Sequence, residues 1–140
     1  MNENVLEGAS MTIKSEAENI EHIEIEKKVL RKALINACHK LEITPKEFGD
    51  LMGVKGSSYS RFIGNAKDHY HIDPNSKNGE AALMFLNIYK ALFAINGGDL
   101  ESCRVWLRTK NKSLGNVPIE MMASMKGMVA VLYYLERIKG

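Results

Sequence analysis

Cysteine is scarce: Cys38 and Cys103 are the two in 140 residues, too few for a disulfide framework. Each lies in an apolar, helix-like context, so both are expected as reduced core thiols of a cytoplasmic protein. No run of about 18 apolar residues exists, which leaves no membrane-spanning helix. The opening Met1-Asn2-Glu3-Asn4 lacks the positive region and apolar stretch of a secretory signal. There is no phosphate-binding glycine loop and no dinucleotide fingerprint, and Gly97-Gly98 reads as a helix stop. Histidine is limited to His22, His39, His69 and His71. His69-Tyr70-His71 has no nearby cysteine or matching carboxylate set that would complete a metal site. Asp68 and Asp73 flank that stretch without the spacing of a Ser/His/Asp or paired-carboxylate arrangement. No catalytic residue, cofactor or metal is therefore expected. Internal repeats, low-complexity tracts and strand patterns are also lacking, so the chain reads as all-α.

What is present begins with an uneven distribution of charge. The net charge is only +2, yet residues 1–26 carry seven acids against Lys14 alone, a balance of −6. The remainder must then carry +8, a basic body compatible with an anionic partner such as DNA. Residues 1–20 show no sustained periodicity, and 1–24 are expected as a flexible acidic leader. Helical spacing begins near Ile23 and makes a stripe of Val29, Leu30, Ala33, Leu34, Ala37, Cys38 and Leu41. Ala66–Asn78 reads as a polar surface loop. From Gly79 to Ile95 a long helix carries Ala82, Leu83, Leu86, Ile88, Tyr89, Leu92 and Phe93. Asp99 should cap a helix reaching Arg108. Pro118–Ser124 should form a short helix, separated by Gly127 from a last one striped with Met128, Val131, Leu132, Leu135 and Ile138.

Pro45–Gly64 has the pattern of two helices joined by a sharp turn. Thr44 can cap, Pro45 suits the first helical position, and Glu47 completes a capping box. Gly49 supplies the small residue at the crossing, and Gly53 the positive φ of the turn. Phe48, Met52, Val54, Tyr59 and Phe62 supply an apolar interior. These residues resemble an Xre/Cro-type helix-turn-helix, in which the second helix enters the major groove. The resemblance leaves Lys55, Ser57, Ser60 and Arg61 facing outward toward bases or phosphates, with Lys46 and nearby amides on a phosphate. A palindromic operator read by a homodimer would offset the small number of cations. The same hairpin serves equally as packing alone.

The single tryptophan lies in the second densest pattern. Trp106-Leu107, Asn111, Leu114-Gly115, Pro118 and Gly127 recur at the distances found in the C-terminal toxin-binding domain of Xre/MbcA/ParS antitoxins, which this stretch resembles. Cys103 and Asn116 depart from that pattern. As residues, Trp106 anchors a small domain, Asn111 bonds the following turn, Gly115 permits an unusual backbone, and Pro118 starts a helix. They read as scaffold. The contact signal lies in Met121, Met122, Met125 and Met128, half of the eight methionines, and in Tyr133, Tyr134, Arg137, Lys139 and Gly140. The resemblance implies an antitoxin that covers an NAD-consuming RES-type toxin, with Tyr134–Gly140 obstructing the toxin's active-site entrance, and that represses its own operon. The expected organisation is a leader over 1–24, a helix-turn-helix domain over 25–95, and a toxin-binding domain over 96–140 packed against it. A stand-alone transcriptional regulator that dimerises through its C-terminal half is the alternative.

Overall fold

The computed structural model describes residues 3–64 and 72–140, apart from the side chains of 3–7, 9 and 23–25. Among the described residues the architecture is all-α, as expected: α1 (Glu3–Lys40), α2 (Pro45–Met52), α3 (Ser58–Gly64), α4 (Lys77–Ile95), α5 (Leu100–Arg108), α6 (Pro118–Met121) and α7 (Met125–Lys139). His69, Tyr70, His71 and Asp68 lie outside the described residues. Elsewhere among those residues, no group of three or more His, Cys, Asp or Glu is arranged to hold a metal ion.

The first correction concerns the leader. α1 is one helix of 38 residues that starts at Glu3, not near Ile23. Residues 10–22 are exposed along its whole circumference, so no buried stripe imposes a period on the sequence there. Local terms shape that half instead, such as the His22–Glu26 pair one turn apart at 2.9 Å. Farther along, the expected stripe is buried at Leu30, Leu34, Ala37, Cys38 and Leu41, whereas Val29 points to solvent. Burial pushes the Cys38 thiol up to about 12, so it behaves as an apolar core group.

The α2–α3 hairpin follows its sequence signals closely. The Thr44 hydroxyl accepts from the Glu47 amide at 3.1 Å, and the Thr44 amide donates to Glu47 Oε1 at 2.9 Å, closing the capping box. Gly53 ends α2 in the left-handed region at φ 67°. Gly49 is tight for a different reason: an added Cβ would lie 2.7 Å from the Val54 carbonyl oxygen in the turn. Phe48, Met52 and Phe62 are buried, with Tyr59 and Val54 packed at the margin. Phe48 stacks on Phe62 at 5.1 Å and tilts against Tyr59 at 5.0 Å.

α4 is the central element, packing against α7, α1, α2 and α5. Ser76 caps it, accepting from the Gly79 amide at 3.0 Å, so the helix starts at Lys77. Its buried positions are Gly79, Ala81, Ala82, Phe85, Ile88, Ala91 and Leu92; Leu83 and Phe93 are exposed. One buried cluster runs without a break from Leu30 through Phe62, Phe85 and Leu107 to Leu135. The two halves read from the sequence therefore share one core. Ile72 enters it from a polar stretch where no periodicity announces it.

Candidate interaction surfaces

Asp99 caps α5 through the Ser102 amide at 3.2 Å, as its position suggests. The helix then presents two arginines to the C-terminal end of α1. Arg104 Nε donates to the Lys40 carbonyl at 3.0 Å, and Arg108 Nη2 donates to the Leu41 and Glu42 carbonyls, both at 3.1 Å. Cations belong there because the last carbonyls of a helix lack intrahelical donors. Arg108 also pairs with Glu47, which completes the capping box of α2. Burial raises the Glu47 carboxyl, but the Arg108 hydrogen bond, the Thr44 amide and the Arg108 charge outweigh it and hold it below the usual range. In the sequence Glu47 is marked only as a capping residue, and nothing local points to its partner Arg108, 61 residues away.

The Trp106 block packs between α5, the following turn and α7. Trp106 is only partly buried and stacks on Tyr134 of α7, ring centroids 6.2 Å apart and planes 17° from parallel. Leu107 and Cys103 beneath it are fully buried. Asn111 Oδ1 accepts from the Leu114 amide at 3.0 Å, and the Asn111 carbonyl accepts from the Gly115 amide at 2.8 Å. Gly115 sits at φ 77°, and Leu114 packs back against the core. A recess of about 510 Å³ opens beside Trp106, with Asn96, Ser102, Val105 and Asn111 in its wall.

Gly127 corrects a reading. It lies inside α7, whose cap is Ser124, accepting from the Gly127 amide at 3.0 Å. Pro118 starts α6, but that helix lasts four residues and ends at Met121. The chain then turns so sharply that an added Cβ at Gly127 would collide with the Met121 carbonyl oxygen. Glycine is needed there for close approach and not as a break.

The expected contact residues separate into two groups. Met122 is 0% exposed and Met128 1%, so Met122 fills the core and offers nothing to a partner. Met121 and Tyr134 are partly buried against the core. Met125, Val129, Tyr133 and Arg137 form an outward stripe at four-residue spacing, opposite the buried Met128, Val131 and Leu135. Val129 and Tyr133 are 48% and 65% exposed, and the Arg137 guanidinium lies 5.7 Å from the Tyr133 ring centroid. Val129 has no distinctive side-chain chemistry; the four-residue spacing through it is the signal in the sequence. Val105, on α5, adds exposed apolar surface. Lys139 and Gly140 are exposed.

On the hairpin, Lys46, Lys55, Ser57, Ser60 and Arg61 are all exposed. Lys46 pairs with Asp50 at 3.3 Å, and the Ser60 hydroxyl donates to the Ser57 carbonyl at 3.2 Å. The structure thus offers two separate faces, a polar one on α2–α3 and an amphipathic one on α7.

No curated protein matches the chain. Residues 91–140 match the family model described as the antitoxin Xre/MbcA/ParS C-terminal toxin-binding domain.

Proposed function

Starting from the Xre/MbcA/ParS-type toxin-binding domain of residues 91–140, we propose that this chain is the antitoxin of a type II module whose toxin is a RES-type, NAD-consuming protein. The domain match carries the reading, and the α7 stripe supports it by supplying what an interface centre requires. A tyrosine, an arginine and two aliphatic side chains sit together on a rigid helix, with low entropic cost on docking. Inhibition is steric: the helix end Glu136–Gly140 lies over the toxin's active-site entrance. The antitoxin itself performs no chemistry and works in the cytoplasm.

In the same reading, α2–α3 is a helix-turn-helix that represses the module's own operon as a homodimer on a palindromic operator. Arg61, Lys55, Ser57 and Ser60 face the groove and Lys46 a phosphate, consistent with the exposure of all five. The test is co-expression of the tagged chain with the RES-type toxin. A stable complex is expected, together with restored cellular NAD. A toxin that neither co-purifies nor is silenced refutes the assignment. For the DNA arm, Arg61→Ala should weaken operator binding about tenfold in a gel shift at fixed salt, while toxin capture stays unchanged. Unaltered operator affinity would leave Arg61 without a role in readout.

A further inference from the structure

α1 divides sharply by charge. Residues 3–26 hold seven acids and one lysine, whereas residues 27–40 hold five cations and no acid. Such segregation along one helix opposes a parallel pairing of two copies, which would set like charge against like. It favours an antiparallel one.

The positions of the charges are more specific than the totals. Glu18, Glu21, Lys28 and Lys32 are all exposed and lie within roughly a third of the circumference at about 100° per residue. Their pairs are nested about nearly the same point, the Glu18–Lys32 midpoint at residue 25 and the Glu21–Lys28 midpoint half a residue before it. An antiparallel copy centred there sets Glu18 against Lys32 of the second copy and Glu21 against its Lys28, and the two-fold axis repeats both pairs. Val29 lies on the same ridge and is 62% exposed, although an isolated helix face gains nothing from it. Beside it an apolar groove of about 490 Å³ runs between α1 and α4, lined by Ala33, Leu83 and Leu86. A neighbouring helix held by the four ion pairs would cover this strip, and the interface would be isologous.

We propose that this ridge of α1 is a self-association surface that takes a second copy of the same chain, antiparallel, through the Glu18–Lys32 and Glu21–Lys28 pairs. The pairing deepens the homodimer of the proposed function by naming its surface. Exposed ion pairs are individually weak and screened by salt, so the dimer should form at micromolar concentration and low ionic strength and loosen as salt rises.

Charge exchange tests it with the full-length chain, by sedimentation equilibrium at low salt. A variant carrying Glu18→Lys and Glu21→Lys should be monomeric, as should one carrying Lys28→Glu and Lys32→Glu. An equimolar mixture of the two should form a heterodimer, and a chain carrying all four changes should again self-associate. Orientation is read from a Glu18→Cys, Lys32→Cys variant under mild oxidation. These positions lie about 21 Å apart on one helix, so a disulfide between residues 18 and 32 must join two copies. A wild-type chain that stays monomeric at 100-fold the toxin-binding concentration overturns the proposal. So does a four-fold variant that fails to associate, or cross-linking of 18 only to 18. Far-UV circular dichroism confirms that each variant folds. Loss of toxin capture by an intact dimer would overturn the antitoxin reading and leave the pairing standing.

Discussion

Arg108 holds Glu47 with both carboxylate oxygens engaged, Nη2 to Oε1 at 2.9 Å and Nε to Oε2 at 3.2 Å. The pair joins α5 to the start of α2 across 61 residues of chain, with both side chains at most one-third exposed. Bidentate geometry and partial shielding distinguish it from an ordinary surface ion pair. Through it, the C-terminal scaffold fixes the N-terminus of the hairpin, and the two surfaces become parts of one body.

Arg108→Ala should therefore destabilise the fold by roughly 2 kcal/mol, measured by urea unfolding, since charged hydrogen bonds are lost and helix-end carbonyls are left without a donor. pH provides an independent check. The folded Glu47 carboxyl lies below its unfolded value, so its contribution is complete above the ordinary glutamate pKa and vanishes as pH falls through the depressed one. As pH falls through and below the ordinary glutamate range, the parent should lose more stability than Arg108→Ala. Parallel acid curves for the two proteins would show that the pair contributes little.

Gly127→Ala separates helix propensity from packing. On propensity alone, alanine inside α7 would stabilise by about 1 kcal/mol. The new methyl instead meets the Met121 backbone carbonyl, which cannot rotate away as a side chain could. A net loss of about 1–3 kcal/mol in thermal or urea melts is expected. A raised melting temperature would mean that the α6–α7 turn relaxes freely.

The sequence conveyed those parts of the fold in which a local rule has a local cause. Thr44, Pro45, Glu47 and Gly53 mark α2 because caps and turns are built within a few residues. Asp99 and Pro118 do the same for α5 and α6. The first half of α1 was illegible because an exposed helix has no buried face to repeat. Arg108 carries no local signal since its partner is distant in sequence, and Met122 reads as a contact residue since methionine suits core and interface alike. On α7 the buried and exposed stripes interleave, so only the direction of packing against α4 separates Met128 from Val129.

Substitutions within the last helix region should show two different phenotypes. Val129→Glu with Tyr133→Ala should leave thermal stability within about 0.5 kcal/mol and abolish toxin capture, because both side chains face solvent. Met122→Ala should cost about 2–5 kcal/mol, and any loss of binding should track unfolding. Binding that survives Val129→Glu and Tyr133→Ala would move the interface to the Trp106 recess.

The chain end separates occlusion from adhesion. Removing residues 134–140 would also remove Tyr134, which stacks on Trp106, and Leu135, which is 1% exposed and part of the core. Such a protein would fail to fold and would report nothing about inhibition. Truncation after Leu135 removes only Glu136–Gly140, all exposed, and leaves the stripe at Met125, Val129 and Tyr133. If that terminus blocks the active-site entrance, the shortened chain should keep its fold by circular dichroism and still bind toxin, though more weakly without Arg137. It should nevertheless restore NAD turnover by the bound toxin. Full protection of cells by this truncated form would place inhibition on the helix face itself, with Tyr133 and Val129 as its centre.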